Sequence, residues 1–128
     1  ISRKLFGLLA YLHQERVTSV DIDGIYVAIK RIAGDDRYHN LIKNIEPLKN
    51  ELILEAEIFF GKDIKEKEIR RSADELILNF EEDIIRQDRE AIMLDMGKIM
   101  DVKEKENLVK KFQALSQRIS EISRKRNL

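Results

Sequence analysis

Two histidines and a large set of carboxylates are the side chains most suited to chemistry here, and neither set has the spacing that chemistry needs. His13 and His39 lie far apart, and neither has a second histidine three or four residues away as a helical metal site would require. Glu51, Glu55, Glu57, Asp74, Glu75, Glu81, Glu82 and Asp83 supply acids in number. A di-metal helical bundle takes Glu-x-x-His pairs on inward faces, and no such pair occurs. These acids read as a solvated helix face. The stretch EIFFGKD sets an acid near a glycine, without the Gly-rich loop and following Lys-Ser or Lys-Thr of a phosphate cradle. No catalytic, cofactor-binding or metal-binding residue is assigned. No enzyme activity and no cofactor are expected of this piece.

Residues suited to binding are more promising. Met93, Met96 and Met100 gather with Ile99 and Val102 near one candidate turn. They suit a small apolar plug, or an adaptable patch that a partner covers, because methionine re-packs easily. Lys110, Lys111, Arg118, Arg124, Lys125 and Arg126 make the last stretch basic. Phe112 is its only aromatic and falls on the apolar seam, so base stacking has no support and direct nucleic-acid binding is not expected. The expected partner-binding set is therefore Met96, Ile99 and Met100 as an apolar tip, with Lys110, Lys111 and Arg118 as a charged rim.

The elements that must position these residues are helices. Charged residues make up 38% of the chain and only one proline and five glycines interrupt it, a composition that favours helices over a sheet with tight turns. Leu5, Leu8, Leu9 and Leu12 predict a helix over 3–14. Ile22, Ile25, Ile29 and Ile32 predict a second, closed by Gly34. Asp35 and Asp36 are expected to cap a third that presents Tyr38, Leu41, Ile42 and Ile45. Pro47 suits the first turn of a fourth, with Leu48, Leu52, Ile53, Ala56, Phe59 and Phe60 on its face and Gly61 at its end.

Beyond Gly61 the pattern lengthens. Asp63 and Glu66 form a capping-box spacing, and Ile69, Ala73, Leu76, Ile77, Phe80 and Ile84 continue as a stripe. RQDRE at 86–90 is wholly polar, so the long helix is expected to lack a core there and to project or kink. Asp101 and Glu104 repeat the capping-box spacing ahead of Leu108, Phe112, Leu115, Ile119 and Ile122, spaced 4, 3, 4 and 3. That is a heptad seam. Its expected facing strip is Ile84, Ile85, Ala91, Ile92, Leu94 and Ile99, which gives a helical hairpin turning near 97–101. The charges agree: 63–101 has seven basic and twelve acidic residues, while 102–128 has eight and three.

The expected architecture is all-α, a bundle at 1–80 and a hairpin at 81–128. Net charge is zero, whereas a free-standing nucleic-acid binder is usually strongly basic. The absence of cysteine excludes a disulfide scaffold and the common zinc modules. No stretch approaches the twenty apolar residues of a membrane span. A start at Ile1 without a signal-peptide pattern suggests a piece of a longer cytoplasmic protein.

The layout resembles the C-terminal, helicase-binding domain of bacterial DNA primase, over nearly the whole chain and by pattern more than by signature motif. RKLFGLLAYLHQE and DGIYVAIKRI resemble its first two helices, and LIKNIEPLKNELILEAEIFF those that close its globular part. IRRSADELILNFEEDIIRQDREAI is similar to its long penultimate helix. MDVKEKENLVKKFQALSQRISEISRK is similar to its last, although Gly97 stands four residues before Asp101 where the family often has glycine closer. The resemblance implies a non-catalytic domain that docks primase on the N-terminal domains of the hexameric replicative DNA helicase and modulates that helicase. It implies a parent chain that synthesises RNA primers. The helicase N-terminal domain is a similar fold and an alternative source. A helical self-association module built on the seam is the rival reading, and a basic nucleic-acid-binding arm a weaker one. As a fragment the chain is expected to be monomeric or weakly self-associating.

Overall fold

The structure, a computed structural model, describes residues 3–61 and 65–127. Among them there is no strand. The elements run α1 (Arg3–Gln14), α2 (Ile22–Ala33), α3 (Asp35–Ile45), a 3-10 turn (Glu46–Leu48), α4 (Lys49–Phe60), α5 (Glu66–Met96) and α6 (Val102–Arg126). The protein is all-α: a helical bundle, a long helix and a C-terminal helical hairpin. It divides into two compact units, Ile1–Phe80 and Glu81–Leu128, and the division falls inside α5.

In the first unit α1 is apolar on nearly every side. Leu5, Phe6, Leu8, Leu9, Tyr11 and Leu12 are all buried, as expected of a helix surrounded by others. Leu8, Tyr11 and Leu12 share a core with Val20, Ile53, Ala56, Ile69 and Ala73. Phe6 meets Phe80 edge to face, with ring centroids 6.3 Å apart. α1 and α4 approach so closely that a Cβ on Gly7 would lie 2.7 Å from the Leu52 carbonyl oxygen. Glycine is what permits that crossing.

Helix ends follow local chemistry. The Asp21 carboxylate accepts a 3.0 Å hydrogen bond from the Gly24 amide at the start of α2. Asp35 and Asp36, expected as caps, are instead the first residues of α3, where Gly34 takes the cap position without a side-chain bond. Their charge still favours the positive end of the helix dipole. Gly34 and Gly61 close α2 and α4 with φ of +84° and +78°, a region that side chains avoid. Pro47 belongs to the 3-10 turn ahead of α4, not to α4 itself. Of the Asp63–Glu66 capping box, Asp63 lies outside the described residues, and Glu66 opens α5.

The face expected for α4 is only partly right. Leu52, Ile53 and Ala56 are buried, but Phe59 is 60% exposed, and Leu54 and Ile58 also face solvent. The polar run 86–90 neither breaks nor ends α5, which stays helical for 31 residues, about 46 Å at roughly 1.5 Å per residue.

Candidate protein-interaction site

The second unit is an antiparallel hairpin of the last turns of α5 against α6. Asp101 caps α6 by accepting a 3.0 Å hydrogen bond from the Lys103 amide. The Gly97, Lys98 and Ile99 amides close the end of α5 by bonding back to Met93 and Asp95 carbonyls. From that turn the helices run back alongside one another, joined by long side chains that reach along the axis as well as across. Arg89 donates to Ser116 Oγ at 3.2 Å, and Arg118 donates to Glu81 at 2.5 Å. Arg126 lies 2.7 Å from Glu82.

Opposite charges therefore do meet across the hairpin. Arg118 is shared between Glu81 and Glu121, and these hydrogen bonds raise its already high pKa. Burial alone would raise the pKa of the Glu82 carboxyl; hydrogen bonds from Arg126 and Arg86 outweigh it and hold the group below its ordinary range.

Burial corrects the expected seam. On α6, Leu108, Phe112, Leu115 and Ile119 are half-buried and Ile122 fully buried, at the spacing already noted. On the facing side Ile84 and Ile85 are buried and Ile92 half-buried, but Ala91 is exposed and Leu94 is 68% exposed. The inward line is Ile85, Arg89, Ile92, Met96 and Ile99, again spaced 4, 3, 4 and 3. An arginine thus holds a seam position. Its guanidinium lies over the Phe112 ring, 5.5 Å from the centroid, and its Nε is buried without a hydrogen-bond partner. Continuing the four-three spacing through Arg89 would have found it in the sequence.

The six residues expected to bind a partner do not form one patch. Met100 is 92% exposed at the turn, whereas Met96 and Ile99 are half-buried. Met93, Leu94 and Val102 are the other exposed large apolar side chains near Met100 in sequence. Lys110 and Lys111 are exposed, but stand eight or nine residues into α6, roughly 12 Å from its start. Arg118 lies another turn or two along and is committed to Glu81 and Glu121. Of the expected apolar tip only Met100 is fully exposed, and Arg118 is half-exposed and held in ion pairs within the hairpin.

Elsewhere the side chains offer little chemistry. In the bundle a groove of about 430 Å³ opens between α1 and α4 beside Gly7, Ala56, Ile58 and Phe59. At its edge Lys4 covers the Phe59 ring and Arg3 is held by Glu55. No nucleophile and base meet there. His13 and His39 are exposed, and among the described residues no cluster of three or more His, Cys, Asp or Glu could hold a metal ion. No described helix is long and apolar enough to cross a membrane. Compared with family models, with curated proteins and with solved structures, the chain matches none.

Proposed function

We propose that this chain is a non-catalytic protein-interaction domain of a bacterial DNA primase, one that docks on the N-terminal domains of the hexameric replicative DNA helicase and brings primer synthesis to the fork. The observation that carries the reading is the tip of the hairpin, where Met93, Met100 and Val102 are 61%, 92% and 69% exposed. Large apolar side chains clustered in water mark a surface made for a partner. Methionines suit one that must adapt to the shape it meets. The resemblance of the helix pattern to the primase helicase-binding domain supplies the partner, and Lys110 and Lys111 supply exposed cations further along the same helix.

The test is binding of the whole chain to the hexameric replicative helicase of the same source, followed by calorimetry or sedimentation. Saturable binding that is lost in a Met93→Asp, Met100→Asp double variant supports the reading. No binding by the parent chain sinks it.

A second reading, self-association, is favoured by one observation. Both helices of the hairpin carry four-three seams, the geometry of multi-stranded helical bundles. A concentration-dependent sedimentation coefficient at micromolar protein, without helicase binding, would select it.

A further inference from the structure

The hairpin seam is nearly degenerate. Sliding one helix by seven residues past the other replaces Ile85 by Ile92 and Ile92 by Ile99 on one side. On the other it replaces Leu108 by Leu115, Leu115 by Ile122 and Phe112 by Ile119. Apolar side chains would still meet apolar side chains, so hydrophobic contact alone does not choose between these pairings, or between an intramolecular partner and a second copy. The ion pair at Arg118 discriminates weakly too, because Lys111 or Lys125 would arrive opposite Glu81 in its place.

One layer does discriminate. Arg89 requires both the Phe112 face and the Ser116 hydroxyl. A slide in one direction would bring Lys105 and Val109 against it, a like charge and no acceptor. A slide in the other would bring Ile119 and Ser123, keeping a hydroxyl but losing the only aromatic ring of α6. The contact between Glu82 and Arg126 adds to this selection, since Ile119 stands seven residues before Arg126.

We propose that Arg89 is a register lock: a cation set into an otherwise apolar seam so that α5 and α6 close on each other in one alignment and do not pair with a second copy. The arrangement carries a cost, the buried Nε without a partner, which an apolar residue would not incur. What it contributes is uniqueness of pairing, the best-attested role of a lone polar seam residue. The lock stands whatever the exposed tip binds.

The chain contains no cysteine, so two can be introduced cleanly for spin labels. Glu90→Cys and Gln113→Cys place them at exposed positions on the two helices. Distances between the labels are then measured in the parent, in Arg89→Met and in Arg89→Lys, with sedimentation velocity run alongside. Both substitutions keep an unbranched stem against Phe112, so a role in packing alone predicts the same behaviour from both. The lock predicts that they diverge. Lysine should keep one distance and a monomer, because its charge still rejects the apolar layers. Methionine should show a second distance, from a slide of about 10 Å along the axis, or self-association at least tenfold tighter than the parent. A methionine variant with the parent's single distance and monomeric state would overturn the proposal. Equal behaviour of the two variants, or loss of the hairpin in both, would overturn it as well.

Discussion

The guanidinium of Arg89 rests on the face of Phe112, 5.5 Å from the ring centroid, inside the hairpin and not in the solvent around it. That pairing reverses the meaning of the polar run 86–90. A stretch expected to have no surroundings is half-buried at Asp88 and Arg89, and Arg89 lies against the helix that returns alongside it. Arginine can do this because its stem is apolar and its planar head stacks on an aromatic face. The ring, in turn, is covered on one side by a cation.

Truncating that ring tests the arrangement. Phe112 is half-buried, so Phe112→Ala should cost about 2 kcal/mol, less than the ~3–5 kcal/mol of a fully enclosed phenylalanine. Urea unfolding followed by circular dichroism would measure it. A loss below about 0.5 kcal/mol would mean the ring is a surface residue and the stacking with Arg89 is incidental.

The bundle has a sharper steric requirement. A methyl group at position 7 would sit 2.7 Å from the backbone oxygen of Leu52, and a backbone carbonyl in mid-helix cannot turn aside. Gly7→Ala gains about 0.8–1 kcal/mol in helix propensity. Overpacking a tight contact costs ~1–3 kcal/mol. The clash should win, leaving a variant with a lower thermal midpoint. A rise in midpoint would show that α1 and α4 are farther apart than described.

These two sites also show what the sequence could reveal. Helices α1, α2 and α6 were legible because leucine and isoleucine recur at helical spacing between recognisable breaks. The face of α4 was legible only in part: Leu52, Ile53 and Ala56 point inward as expected, but LILEAEIFF is apolar nearly all round, so periodicity did not show that Phe59 faces solvent with Leu54 and Ile58. Arg89 was missed for the opposite reason. Its position fits the seam, but its chemistry hid it from a reading that followed apolar residues alone. The commitment of Arg118 to Glu81 depends on which turns of two helices come side by side, which spacing along either one does not specify, whereas its pairing with Glu121 is a neighbour contact within α6.

Acid should loosen the contacts that Glu82 makes. Its carboxyl has a folded-state pKa held below the ordinary value of 4.5, the Arg126 and Arg86 hydrogen bonds overcoming the effect of burial. A depressed carboxylate contributes stability that is fully present above its unfolded pKa and is lost as pH falls through the lower folded value. Glu82→Gln should therefore be less stable than the parent at pH 7, and the gap should close steadily below about pH 4.5. Thermal midpoints of the two proteins across pH 3–7 would show the convergence. A constant gap would assign the effect of the substitution to packing instead of charge.

The tip offers the cleanest separation of folding from binding. Met100 is 92% exposed, so Met100→Asp removes almost no buried surface and should change stability by no more than about 0.5 kcal/mol. If the tip is what the helicase buries, the same change places a charge in an apolar contact, and affinity should fall at least tenfold, a loss of about 1.4 kcal/mol. Phe112→Ala should behave in the opposite sense, destabilising the hairpin while leaving the tip's own side chains in place. Measuring unfolding and helicase binding on both variants distinguishes the two roles. If Met100→Asp unfolds the hairpin, the methionine is part of its structure; if it leaves both quantities unchanged, the docking surface lies elsewhere on the molecule.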